Sequence, residues 1–165
     1  MSRGDARLSL GASEPAYCGD MATLEQDRKT IARRALEEVC ARGDFDKAQE
    51  FYSPTFLDHV GPIDYHGLEG VRKSVSMYRS VFPDLEIEVV DQVVEGDRVA
   101  SRWVARGTNR GRRAKLDGIT ISRLKDGKIA EDWSYSDTLG LLRQLGAWRL
   151  AALGADQLRD RLRKR

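Results

Sequence analysis

The chain is poor in the residues that build metal and redox centres. It holds two cysteines, Cys18 and Cys40, and two histidines, His59 and His66, among 165 residues. No Cys-x-x-Cys occurs and no Cys/His spacing suits zinc. Both thiols are therefore read as having no role, two histidines are too few for a histidine-based metal cage, and a site completed by carboxylates has no spacing signal. Long apolar runs are also missing; none approaches the roughly 20 residues of a membrane span. Met1–Leu10 mixes Arg3, Asp5 and Arg7 with single apolar residues instead of presenting a signal core. A cytoplasmic protein with no membrane partner is the expectation. Excess charge of one sign is absent as well: 28 Lys+Arg against 26 Asp+Glu leave +2. That balance is too even for a general nucleic-acid partner. The surplus sits at the end, where Ala155–Arg165 carries five basic and two acidic residues and residues 1–154 sum to −1. A basic last helix complements its own dipole.

What is present is enough for one ordinary domain: 41% apolar and 33% charged residues. Residues 1–22 show no period and are expected to be a flexible tail. Thr23-Leu24-Glu25-Gln26 has the form of a capping box. Ile31, Ala32, Ala35, Leu36 and Val39 then recur at helical spacing up to Gly43. Asp44 is placed to cap a short second helix, Phe45–Tyr52, which Ser53-Pro54 breaks. Thr55–Val60 reads as a strand or bridge, and a loop is expected through Gly61-Pro62 to His66-Gly67. Leu68–Phe82 is a third helix, with Leu68, Val71, Val75, Tyr78 and Phe82 on one stripe. Beyond Pro83 the period becomes two: Leu85, Ile87 and Val89 alternate with Glu86 and Glu88. Strands Arg98–Thr108, Ala114–Leu124 and Ile129–Ser136 follow, the last two joined by the turn Lys125-Asp126-Gly127-Lys128. Thr138–Leu145 is a short helix before Gly146. Residues 148–165 are expected to form a basic helical extension. Helices first and antiparallel strands after give α+β, with the N-terminal helices on one face of a curved sheet.

Three stretches carry a family resemblance. They are Phe51-Tyr52-Ser53-Pro54-Thr55-Phe56-Leu57-Asp58-His59; His66-Gly67-Leu68-Glu69-Gly70-Val71 with Phe82-Pro83-Asp84; and Gly118-Ile119-Thr120-Ile121 through Asp126-Gly127-Lys128-Ile129-Ala130-Glu131-Asp132-Trp133 to Asp137 and Gly140-Leu141-Leu142-Arg143-Gln144-Leu145-Gly146. Together they resemble the SnoaL-like polyketide cyclases, or ester cyclases, of the nuclear-transport-factor-2-like superfamily. The resemblance implies a cone-shaped α+β domain over residues 23–147 and a homodimer packed through the sheet. It also implies a small-molecule substrate and catalysis without metal or organic cofactor. In the cyclases a cavity Asp moves protons during an intramolecular aldol closure, and the matching position here is Asp137. Two departures bear on substrate identity: Gly107-Thr108-Asn109 stands where the family often has Gly-Thr-His, and Arg110–Lys115 is a short basic connection.

Strand alternation puts Glu131, Trp133, Tyr135 and Asp137 on one face, and that face is expected to line the pocket. A carboxyl group beside Trp133 would be desolvated and its pKa raised. Asp137 equally sits where the helix after it needs an N-cap; the resemblance tips it toward catalysis. His59 is the second catalytic candidate, as a proton relay, against a structural histidine bonded to backbone. Asp58, Trp103 and Tyr78 join Glu131, Trp133 and Tyr135 as candidate substrate contacts, with Trp103 expected inward. Were Arg102 inward with Asp137, the set would resemble the limonene epoxide hydrolases. The function expected is a cofactor-independent cyclase of secondary metabolism acting on a polyketide-like substrate. Epoxide opening and a non-catalytic binding domain are the alternatives.

Overall fold

The computed structural model describes residues 17–146. The expected tail falls mostly, and the basic extension 148–165 wholly, outside the described residues. Helix α1 runs Tyr17–Arg34, so the Thr23 box lies inside a helix instead of starting one. It continues into a π-helical stretch, Ala35–Ala41, which turns Leu36 and Cys40 toward the centre of the molecule. Gly43, in the left-handed region at φ 73°, ends it. A 3-10 turn, Phe45–Lys47, leads into α2, Ala48–Phe51. Asp44 makes no side-chain cap there; its carboxylate pairs with Lys47 at 3.3 Å.

Strand β1, Tyr52–Val60, and β2, Ile63–His66, form a hairpin where the sequence suggested a loop. Gly61, at φ 58°, supplies the turn conformation. Helix α3, Gly67–Val81, follows. Then come β3, Glu86–Glu95; β4, Arg98–Asn109; β5, Arg112–Lys125; β6, Lys128–Ser136; and α4, Thr138–Leu145. The six strands form one open curved sheet in the order β2-β1-β6-β5-β4-β3. It is mixed, not wholly antiparallel: β1 lies parallel to β6. Helices and strands thus segregate as expected, and the fold is α+β.

The helices cover the concave face and bury two apolar clusters. Val39, Phe51, Phe56, Val71, Val75, Val99 and Ile129 form one. Phe82, Leu85, Val89, Trp103, Leu116, Leu141 and Leu145 form the other. Each large side chain so buried contributes about 1.5–3 kcal/mol. Residues of both clusters border the hollow that holds the candidate site.

Candidate active site

On β4 the alternation holds as read from the sequence. Trp103 points inward and is 5% exposed, while Arg102 lies outside and pairs with Asp91 at 2.6 Å. The arginine-bearing arrangement of the limonene epoxide hydrolases is therefore not assembled. Indole Nε1 of Trp103 donates to Thr120 Oγ1 at 3.0 Å, and Thr120 is bonded in turn to Ser134 at 3.1 Å. A Cβ on Gly118, the register partner of Trp103, would run into the indole ring. Glycine mid-strand marks that close approach.

On β6 the expected facing is reversed. Ile129 is buried at 1% exposure, and strict alternation from it sends Glu131, Trp133 and Tyr135 inward. The β5–β6 and β1–β6 registers both slip around this point. One extra residue flips every side chain beyond a bulge, so Asp132 and Ser134 enter the hollow instead. Trp133 packs outside, stacked on His59 at 5.5 Å and under the Arg98 guanidinium at 5.7 Å.

Parallel pairing of β1 with β6 sets Asp58 directly beside Asp132. Both side chains are buried, 7% and 6% exposed, and both line a chamber of about 60 Å³. Oδ1 of each acid has no hydrogen-bond partner. Burial pushes Asp58 up to about 6, partly offset by Ser74 and the neighbouring His59. Burial, offset by Ser122 and reinforced by the charge of Asp58, pushes Asp132 up to about 8. The two rises belong to the pair together and favour one shared proton near neutrality. Tyr52, Phe56, Tyr78 and Trp103 supply aromatic wall, and among the described residues no Lys, Arg or His lines the chamber. Burial raises the Cys40 thiol and the Tyr78 phenol to about 12, so both stay neutral.

Beyond the chamber lies an open cleft of about 470 Å³ that includes Val60, Pro62, Ile63, Met77, Leu116 and Leu141 in its lining. Among the described residues, none in its lining is charged. Among the described residues no group of three or more His, Cys, Asp or Glu side chains is gathered as a metal centre.

Of the sequence candidates, the structure brings Asp58, Trp103 and Tyr78 to the chamber. Asp137 is exposed; its Oδ1 accepts from Gly140 N at 2.8 Å and caps α4. Tyr135 is 62% exposed at the rim of the cleft. His59 and Glu131 face outward in a separate network. His59 Nδ1 lies 2.7 Å from Asp64 and Nε2 lies 3.1 Å from Glu131, whose other oxygen accepts from Arg123 at 2.7 and 3.0 Å. Glu131, then Asp64, raises the His59 pKa; Arg123, then His59, lowers that of Glu131. Sequence reasoning passed over Asp132. Its signal was the bulge, which no periodicity displays.

The comparisons with known proteins agree with this architecture. The chain is similar to IdmH of Streptomyces antibioticus, provisionally assigned as a polyketide cyclase: 32% identity over 73% of this chain and 99% of that one, TM-score 0.63. A provisionally assigned polyketide cyclase of Bacillus cereus shows 30% identity over 73% and 80%, TM-score 0.65. TsrD of Streptomyces laurentii shows 29% over 76% and 96%, TM-score 0.62. Among curated relatives, the exodeoxyribonuclease 7 large subunit of Xanthomonas campestris is 26% identical over 141 residues, 83% of this chain. The chain spans only 31% of that protein's length. The family model for the SnoaL-like polyketide cyclases matches residues 30–145, and the chain belongs to that family.

Proposed function

We propose that the protein is a cyclase-type enzyme that closes a ring in a polyketide-like carbonyl compound, with Asp58 and Asp132 exchanging the protons. The observation that carries this is the buried pair itself: two adjacent acids with unpartnered oxygens and unequal pKa values, facing one hollow. Asp58, ionised, takes the acidic α-proton while Asp132, protonated, gives its proton to the carbonyl oxygen. The product is a neutral enol, and the charge of the pair is unchanged. The enol carbon then attacks an internal carbonyl. Its O–H proton returns to Asp132, and Asp58 delivers its proton to the new alkoxide, which restores both acids. Concerted transfer of this kind avoids building a full enolate next to a carboxylate. Holding the chain folded supplies orientation. No step draws on a cofactor, and Asp137 serves the cap of α4.

A homodimer packed through the outer sheet face belongs to the same proposal. Val93, Ile119 and Tyr135 stand on that face at 68%, 38% and 62% exposure, with the Arg102–Asp91 ion pair beside them, apolar side chains that a second copy could cover.

The test needs no natural substrate. 2-Acetylnaphthalene carries an exchangeable methyl ketone on an apolar body. In D₂O the protein is expected to speed deuterium incorporation at that methyl group, read by proton NMR. An unaccelerated rate contradicts the proposal.

A further inference from the structure

Among the described residues, three line both the acid chamber and the outer cleft: Val60, Tyr78 and Ser134. Val60 and Ser134 are register partners on β1 and β6, two positions beyond Asp58 and Asp132. Both sit on the concave face, immediately outside the acids. Tyr78 reaches them from α3, whose Val71 and Val75 also border the chamber. Its phenol faces Ser136 on β6, which lines the same outer cleft. The ring therefore stands between helix and sheet, at the border of the chamber and the cleft. On the inner side there is about 60 Å³, room for a group of a few heavy atoms. On the outer side there is about 470 Å³ with no charged side chain among the described residues of its lining.

We propose that Tyr78 is the specificity-determining residue of this site: it bars the neck so that a carbonyl bearing a slender end group enters, while an uncharged apolar body stays in the cleft. The inference rests on the acid pair being the reacting centre. The substrate class it defines is an uncharged molecule whose reacting carbonyl lies at a narrow terminus, as in a methyl ketone. A branched group on the far side of that carbonyl is stopped by the phenol ring. Charged tails gain nothing in the cleft, and anionic ones are repelled by the acid pair.

The experiment compares 2-acetylnaphthalene with 2-isobutyrylnaphthalene, which differ by two methyl groups beside the carbonyl. Dissociation constants are read by ligand-observed NMR on the full chain, and α-deuteration is followed in the same samples. Wild type is expected to favour the methyl ketone by about tenfold or more. Tyr78→Phe keeps the ring and the preference. Tyr78→Ala and Tyr78→Leu, checked for native circular dichroism, bring the two ketones to within about twofold by opening the neck. A preference that survives in Tyr78→Ala or Tyr78→Leu overturns the proposal. So does a wild type that binds neither ketone or both alike. Binding with the expected preference but without deuteration leaves the neck standing and removes the acid-pair chemistry.

Discussion

Asp132 and Glu131 are neighbours in the chain, and the sheet sends them into opposite electrostatic worlds. On the outer face Glu131 is held by Arg123 and His59, and its pKa falls. On the concave face Asp132 meets apolar walls and a second acid, and its pKa climbs to about 8. His59 and Asp58 repeat the contrast on β1, again one residue apart, with His59 tied to two carboxylates and Asp58 left with an unpartnered oxygen. The lesson is that the β1–β6 pair sets ion-paired side chains on one face and buried carboxyl groups with unpartnered oxygens on the other. An acid satisfied by cations is fixed in its charge; an acid stripped of partners can exchange a proton near neutral pH.

Breaking the inner half of the contrast should cost the most. Asp58→Asn is expected to lower the deuteration rate of 2-acetylnaphthalene by about 10²–10⁴-fold with a native circular dichroism spectrum. Gly118→Val attacks the wall instead. Its side chain drives into the Trp103 ring and should cost about 1–3 kcal/mol in urea unfolding. Asp132→Asn sharpens the comparison from the stability side. A carboxyl group whose folded pKa is raised favours the fold when protonated; its contribution is whole below about pH 4 and is lost as pH rises through the folded value. The amide removes that loss, so the Tm of Asp132→Asn should exceed wild type by roughly 5 °C or more at pH 8.5 and converge with it toward pH 4.

The outer half should respond more weakly and with a different profile. Glu131, lowered, stabilises above its unfolded pKa; His59, raised, stabilises below its own. Their joint contribution therefore peaks between about pH 4.5 and 6.5. Glu131→Gln should cost about 1 kcal/mol there and less on either side, measured by urea unfolding across pH. Asp137→Ala, which removes a cap remote from both faces of the contrast, should cost at most about 1 kcal/mol and leave the deuteration rate at the wild-type level.

The elements were legible where periodicity is uninterrupted. The α3 stripe of Val71, Val75 and Tyr78 reads directly, although the helix stops one residue short of Phe82, and so does Trp103 on the inner side of β4. Failures concentrate where a local rule is broken. The bulge before Asp132 reverses a two-residue alternation that is otherwise faithful, so Glu131 and Trp133 were read as pocket residues and Asp132 was not, while Tyr135 reaches only the rim of the outer cleft. The parallel pairing that joins Asp58 to Asp132 connects elements about 70 residues apart, and no local pattern reports such a register. Trp133 misled for a second reason: the His59 ring and the Arg98 guanidinium cover it on the outer face, so burial in a pocket was not needed. Asp137 offered two roles from sequence, and its bond to Gly140 N shows the capping one in place.

The most direct test is a carboxyl-carbon NMR titration of the aspartates in the intact protein, with Asp58→Asn and Asp132→Asn used for assignment. The pair should titrate in two steps, near 6 and near 8, and Asp132→Asn should remove the upper one. If both carboxyl groups instead titrate together at the ordinary value of about 4, the concave face is not an unpaired acid site and the proton-transfer account is contradicted.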